Sequence, residues 1–298
     1  MRYRLPLPEL MLLAVAMVWG CSYGVAKMAL LYYPVLGFLA LRFGITFVLL
    51  LPSLRHLRQP AVKNAIRVGL PLGGILLAIF LCETFGLAKT SATNAAFLIA
   101  LCVVFTPWFE WQILKKSPDI GMWIAAAVAL LGAALIASNL HMAFNLGDGL
   151  MVAAAVLRAL MMVETKRRCT QSPPDMLALT AVQSGVLALG CLVLALSSSD
   201  GLPALPQSMT FWGGTLFLVL LCTLLAFFAQ NYAIARSSPS RAAVLLGSEP
   251  LFGALFAVMY LGEAFNAQLL IGGGLIVLAS LTAVLQPWAG RRWRVALL

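Results

Sequence analysis

Residues 80–98 read FLCETFGLAKTSATNAAFL, and residues 227–245 read FFAQNYAIARSSPSRAAVL. Laid over one another at a shift of 147, Phe80, Ala88, Ser91, Ala95, Ala96 and Leu98 meet identical residues. Lys89 meets Arg236, and Phe85 meets Tyr232. Each segment is an apolar run, a short polar turn and a second apolar run. A shift of 139 lays Glu9 on Asp148, Trp19 on Arg158 and Lys27 on Lys166. Small residues inflate such matches singly, but the two registers agree. They predict one five-helix unit over residues 1–143 and a second over 144–298. Five is odd, so the second unit enters a membrane from the opposite side: Lys89 falls outside and its counterpart Arg236 inside. Inverted repeats of this kind build alternating-access carriers, with the site near the midplane between the halves.

The rest of the chain agrees with a membrane fold. Of its 298 residues 62% are hydrophobic and only 10% charged, with a mean hydropathy of +0.97. Ordinary globular chains carry about 25% charge. The excess apolar surface must face lipid, and it comes in runs of about 18–22 residues, enough to cross a bilayer as helix. The expected class is all-α, a polytopic membrane protein of ten transmembrane helices. The spans expected are 9–29, 35–54, 68–87, 94–114 and 120–138, then 148–165, 175–196, 210–235, 242–261 and 269–285. A membrane β-barrel would alternate apolar and polar residues, and runs such as Ile124–Ile136 do not. Arg2 and Arg4 ahead of an apolar run resemble a signal peptide. Nine further spans follow, so a retained first helix is expected.

Net charge is +10, which in isolation would suggest a nucleic-acid partner. Its placement argues against one. With the N-terminus inside, sixteen of the twenty basic residues fall on inner segments: Arg2, Arg4, Arg55, Arg58, Lys63, Arg67, Lys115, Lys116, Lys166, Arg167, Arg168, Arg236, Arg241, Arg291, Arg292 and Arg294. This is the positive-inside pattern. It predicts both termini in the cytoplasm and a protein of the cell (inner) membrane whose partners are the lipid bilayer and a small-molecule substrate. A homodimer through the small-residue fifth helix is possible. Of the six cysteines none stands at metal-ligand spacing, and the two histidines, His56 and His141, lie in expected loops. No metal or other cofactor is expected, and without a phosphate-binding loop ATP is not the direct energy source.

With these features in place the chain resembles the EamA-type family of drug/metabolite transporters. The motifs that carry the resemblance are Trp19-Gly20 with Lys27, Leu41-Arg42-Phe43, Ala88-Lys89-Thr90-Ser91-Ala92 followed by Ala95-Ala96, Glu249-Pro250, Leu261-Gly262-Glu263 and Gly272-Gly273-Gly274. The resemblance implies a cavity lined by helices 1–4 and 6–9, with helices 5 and 10 peripheral. It also implies export of amino acids or other small metabolites. One departure stands out. The first half has Cys102-Val103 where the second has Glu249-Pro250, and its proline, Pro107, comes later, so the two gates are not equivalent.

Ionisable groups at membrane depth are costly and mark sites or partners. Arg158, central in its helix, is expected either to take a substrate carboxylate through its planar fork or to pair with Glu83 or Glu249. A gating pair would combine both. Glu249, about one turn from the cytoplasmic side, is expected to hold a substrate ammonium or a coupling proton beside a kink made by Pro250. Glu83 is similar but nearer water. Trp19 and Tyr23 share a face of the first helix, and Phe227 and Asn231 a face of the eighth. Asn94, Gln230 and Asn231 add neutral hydrogen-bonding groups. Arg42 is expected to anchor the fold or lipid headgroups, and Glu110 and Glu164 to pair with Lys115 and Lys166. Export of a small zwitterionic metabolite suits charges of both signs. A multidrug exporter of cationic lipophiles, or an exporter of another metabolite such as a metallophore, is the alternative. No enzyme's nucleophile–base constellation is visible.

Overall fold

A computed structural model describes residues 7–56, 58–137, 145–198, 202–261 and 267–295. Arg2, Arg4, His141, Gly262-Glu263 and the boundary expected at 143 lie outside the described residues. In chain order the helices are α1 (Leu7–Ala29), α2 (Val35–Leu50), α3 (Pro60–Lys89), α4 (Ala92–Ala100), α5 (Cys102–Leu114), α6 (Ile120–Ile136) and α7 (Leu146–Gln171). They continue as α8 (Met176–Ser197), α9 (Met209–Phe217), α10 (Ala226–Arg236), α11 (Pro239–Leu246), α12 (Glu249–Leu261) and α13 (Ala267–Val295). A 3-10 turn, Leu51–Leu54, extends α2, and a π-helical stretch, Leu218–Leu225, joins α9 to α10. Every element among the described residues is helical. Eight helical stretches are long and apolar enough to cross a membrane, and α6 is a shorter apolar helix.

Short polar turns set the helix starts. Ser91, Asp119, Asn145, Asp175, Ser208 and Ser238 each accept a backbone N–H from the first turn they precede, which satisfies a donor the helix itself cannot. Asn145 and Asp148 close a reciprocal capping box on α7.

Two expected spans are not continuous. The segment 94–114 breaks at Leu101 between α4 and α5, and the segment expected at 242–261 begins earlier, at Pro239, and breaks at Gly247-Ser248 between α11 and α12. The breaks lie 147 residues apart, as do the starts of α5 and α12 at Cys102 and Glu249. Contrary to the expectation, Pro250 therefore does not kink a helix from within. It stands in the first turn of α12, where a missing N–H costs nothing. Pro107 does lie inside α5.

The main packing joins early helices to late ones. α3 lies against α7 and α8, α2 against α8, α1 against α10, α11 and α12, α5 against α7, and α6 against α13. The last contact corrects an expectation. The small-residue face of α6, offered in the sequence to a second copy, is filled within the chain: a Cβ on Gly132 would meet the Gly272 carbonyl at 2.5 Å, and one on Gly272 would meet the Gly132 carbonyl at 2.6 Å.

That backbone contact can be tested. Gly132→Ala and Gly272→Ala should each lower stability by about 1–3 kcal/mol, the range for overpacking, because the opposing atoms are main chain and cannot swing away. Thermal melting in detergent reads the effect. Unchanged melting in both variants would refute the close approach of α6 and α13.

Candidate functional site

The site is built where α1, α7 and α12 meet. Arg158 on α7 is 6% exposed and Glu249, the first residue of α12, is 2% exposed. They form a two-pronged ion pair: Arg158 Nη1 donates to Glu249 Oε2 at 3.3 Å and Nη2 donates to Oε1. Tyr23 of α1 donates its hydroxyl to the same Oε2 at 3.3 Å. The guanidinium also lies over the Trp19 ring, 4.6 Å from its centroid, a favourable use of the ring face. The Trp19 indole N–H is in turn held by the Cys222 carbonyl at 2.8 Å.

The local sequence explains this arrangement. The break after Gly247 leaves Glu249 at a helix N-terminus, where unpaired N–H groups and the helix dipole favour a carboxylate. Gly20 lets α1 approach, because a Cβ there would meet the Glu249 carbonyl at 2.5 Å and the Gly253 nitrogen at 2.8 Å. Trp19 and Tyr23, one turn apart on that face, are thereby brought to the ion pair.

An aromatic group leads from the pair to a second buried cation. Trp19 meets Phe227 edge-on at 6.0 Å, and Phe227 packs with Phe43 at 6.0 Å and Phe80 at 5.8 Å. The Arg42 guanidinium lies over both Phe43, at 5.4 Å, and Phe80, at 5.5 Å. Arg42 is 6% exposed, and its Nε donates to Thr223 Oγ1, in the π-helical stretch, at 2.8 Å. It has no acidic partner within ion-pair distance among the described residues. Glu83, three residues after Phe80, is partly buried. Its carboxyl lies beside the Tyr23 hydroxyl and within electrostatic reach of both Arg42 and Arg158.

Of the expected site residues, Arg158, Glu249, Trp19, Tyr23, Phe227 and Glu83 are thus brought together. Glu249 is deeper than expected, ten residues beyond the start of α11, and it is paired with Arg158. Asn94 is drawn elsewhere: its amide donates to Thr90 and to Asp148, tying the end of α3 to the start of α7. Asn231 donates to Gln183 at 2.7 Å and to Thr180 at 3.4 Å, a polar spot on α8 and α10. Gln230 is buried without a hydrogen-bond partner among the described residues. Glu110 accepts from the Ser240 N–H and hydroxyl, not from Lys115. Glu164 pairs with Arg167 and Arg168, one helical turn on, not with Lys166. Arg42 is buried within the bundle against Phe43, Phe80 and Thr223. An apolar crevice of about 760 Å³ lies between α2 and α8, lined by Gly37, Leu41, Gly44, Phe47, Gly185 and Leu189 among others. It carries none of these charges.

The model of the EamA-like transporter family matches residues 7–138 and 145–285. The chain is 30% identical to an uncharacterized transporter of Archaeoglobus fulgidus, over 91% of this chain and 83% of that one. It is 25% identical to a probable terminal-alkyne amino-acid exporter of Streptantibioticus cattleyicolor, over 94% of each chain. A probable amino-acid metabolite efflux pump of Salmonella typhimurium is 26% identical, over 89% of this chain and 90% of that one. A crystal structure with 19% sequence identity superposes with a TM-score of 0.73, over 95% of this chain and 98% of the other, a likeness of fold.

Removing one member of a buried ion pair costs about 3–5 kcal/mol, while replacing both by apolar groups is often neutral. Arg158→Met and Glu249→Met alone should therefore each lower the melting temperature markedly, and the double variant should recover most of the loss. Two single variants as stable as the parent would mean that the pair does not form.

Proposed function

The chain belongs to the EamA-like transporter family, and from that premise we propose that it exports a small zwitterionic metabolite, an amino acid or a close derivative, by alternating access. Membership makes it a multi-pass membrane transporter and not an enzyme. The substrate class is our reading. The observation that carries it is the charge at the centre of the bundle: Arg42 and Arg158 with Glu83 and Glu249, two of each sign, buried or half-buried. A zwitterion matches such a set without leaving net charge behind. Two relatives are named as exporters of an amino acid or an amino-acid metabolite, which supports the same class.

The transport mechanism we propose uses ten spans as two inverted five-helix repeats, 1–143 and 144–298. The two matches to the family model and the two breaks 147 residues apart support it. Glu249 and Arg158 come from the second unit, Tyr23 and Trp19 from the first. The ion pair with its tyrosine is thus a tie between units that must loosen when one side of the cavity opens. Pro250 and Pro107 flank the two breaks, where the bending is expected to concentrate. In this scheme the protein lies in the inner membrane with both termini cytoplasmic, as the basic loops require. A second reading, export of cationic lipophiles, draws support from the Trp19–Phe227–Phe43–Phe80 cluster. The buried Arg42 and Arg158 speak against it.

Two experiments test the scheme. Cells overexpressing the protein should lose amino acids to the medium faster than controls, and Arg158→Lys should remove most of that efflux, because a fork becomes a point charge. An Arg158→Ala variant that inserts normally and exports at the parental rate would exclude the residue from transport. Export of dyes and lipophilic amines without amino acids would favour the second reading. Reporters fused after Asn139 and after Asp200 should lie outside, and one after Arg168 inside. An outside signal after Arg168 would overturn the inverted topology.

A further inference from the structure

The two buried arginines differ in what they still offer. Both Arg158 nitrogens that form its fork are spent on Glu249. Arg42 has spent only Nε, on Thr223. Its terminal nitrogens have no hydrogen-bond partner among the described residues. A guanidinium packed against the rings of both Phe43 and Phe80 and tethered at Nε has little freedom to turn its outer edge away. Glu83 forms no ion pair within 4 Å among the described residues, and it lies within electrostatic reach of Arg42 as well as of Arg158.

Depth agrees. Arg42 is seven residues from the start of α2, and Glu83 six residues from the end of α3. These ends lie on the same side of the bundle, so both groups sit about 10 Å from it at 1.5 Å per residue. The Arg158–Glu249 pair is deeper. A plus and a minus at one level, the plus packed against Phe80 three residues before the minus, has the form of a receptor for a separated minus and plus.

We propose that Arg42 and Glu83 hold the head group of the substrate, Arg42 taking its carboxylate and Glu83 its ammonium, with Phe80 and Phe227 against its carbon skeleton. This rests on the zwitterion class proposed above and moves the carboxylate partner from Arg158 to Arg42. Arg158 and Glu249 are then the tie beneath the site.

The test uses the purified full-length protein in proteoliposomes. Uptake of labelled phenylalanine, leucine and threonine is measured with two competitors for each: the amide, which lacks the carboxylate, and the deaminated acid, which lacks the ammonium. Rates are taken per inserted molecule. Arg42→Gln should weaken the amino acid and the deaminated acid by about tenfold or more, the worth of a charge-assisted hydrogen bond, and leave the amide unchanged or improved. Glu83→Gln should do the converse. Arg42→Lys, which keeps the charge and loses the fork, should show the same selectivity to a smaller degree, and it serves if Arg42→Gln fails to insert. Equal loss for all three compounds, or no loss, overturns the assignment while leaving the zwitterion class standing. A parental protein that moves none of the amino acids overturns both.

Discussion

A charge surrounded by helices and lipid must find its opposite or be lost to the membrane's cost. Insertion of one such group costs about 2.5–3.5 kcal/mol at a helix centre, and a buried pair recovers that only with good geometry and its remaining hydrogen bonds filled. Arg158 and Glu249 meet that condition through a series of backbone decisions. α11 must stop so that α12 can begin at Glu249. Gly20 must lack a side chain so that α1 can reach the new helix start. Tyr23 and Trp19 then complete the pair from one face of α1. Without the helix start at Glu249 the guanidinium would lose its counter-charge, and without the close approach of α1 the pair would lose its remaining contacts.

Breaking a membrane helix exposes backbone groups that lipid cannot satisfy, so irregular backbone survives only inside protein or against a cavity. Both breaks obey this. Around Gly247-Ser248 the freed groups are reused locally: the Gly247 N–H reaches the Ala243 carbonyl at 2.7 Å, and the Ser248 hydroxyl reaches the Leu245 carbonyl at 2.6 Å. At the first break the Leu101 N–H returns to the Leu98 carbonyl at 3.2 Å. The two differ in what they present. One opens on a glutamate, the other on Cys102, an uncharged and buried side chain. The same backbone device therefore carries a charge in one half only, and a tie made at a single break gives the bundle one strong point of closure at that depth.

Much of this was legible from composition and spacing. Hydropathy alone identifies a helical membrane protein, and counting ionisable residues at depth finds Arg158, Glu249 and Glu83, because so few residues can be there by accident. Three things escaped. Apolarity alone starts the helix at Ala242 and makes Glu249 too shallow, whereas Ser238 caps it at Pro239 and carries the residue a turn further in. Asn94 looked like a cavity group, but a polar residue just inside a helix start has a nearer use, here the Thr90–Asp148 bridge. Arg42 looked like an anchor because nothing in its own helix shows that Phe80, on α3, and Thr223, on the π-helical stretch, converge on it. Partner choice among buried groups depends on contacts between distant helices, and the pattern within one helix does not encode them.

The separation of roles between the two arginines follows from electrostatics. With Arg158 neutralised at contact distance, its field at other points falls to that of a dipole, and an incoming carboxylate gains little from it. Arg42 and Glu83 form no ion pair within 4 Å among the described residues and so keep more of their fields, and Coulomb attraction at low dielectric is large even across several ångströms. A lone anion brought to Arg42 would face Glu83, and a lone cation brought to Glu83 would face Arg42, so each is partly repelled. A zwitterion of matching span satisfies both fields at once and adds no net charge to the interior. Discrimination against singly charged metabolites then arises from the gap itself, by the opposition of two fixed charges, without a side chain that must recognise the substrate's remaining atoms.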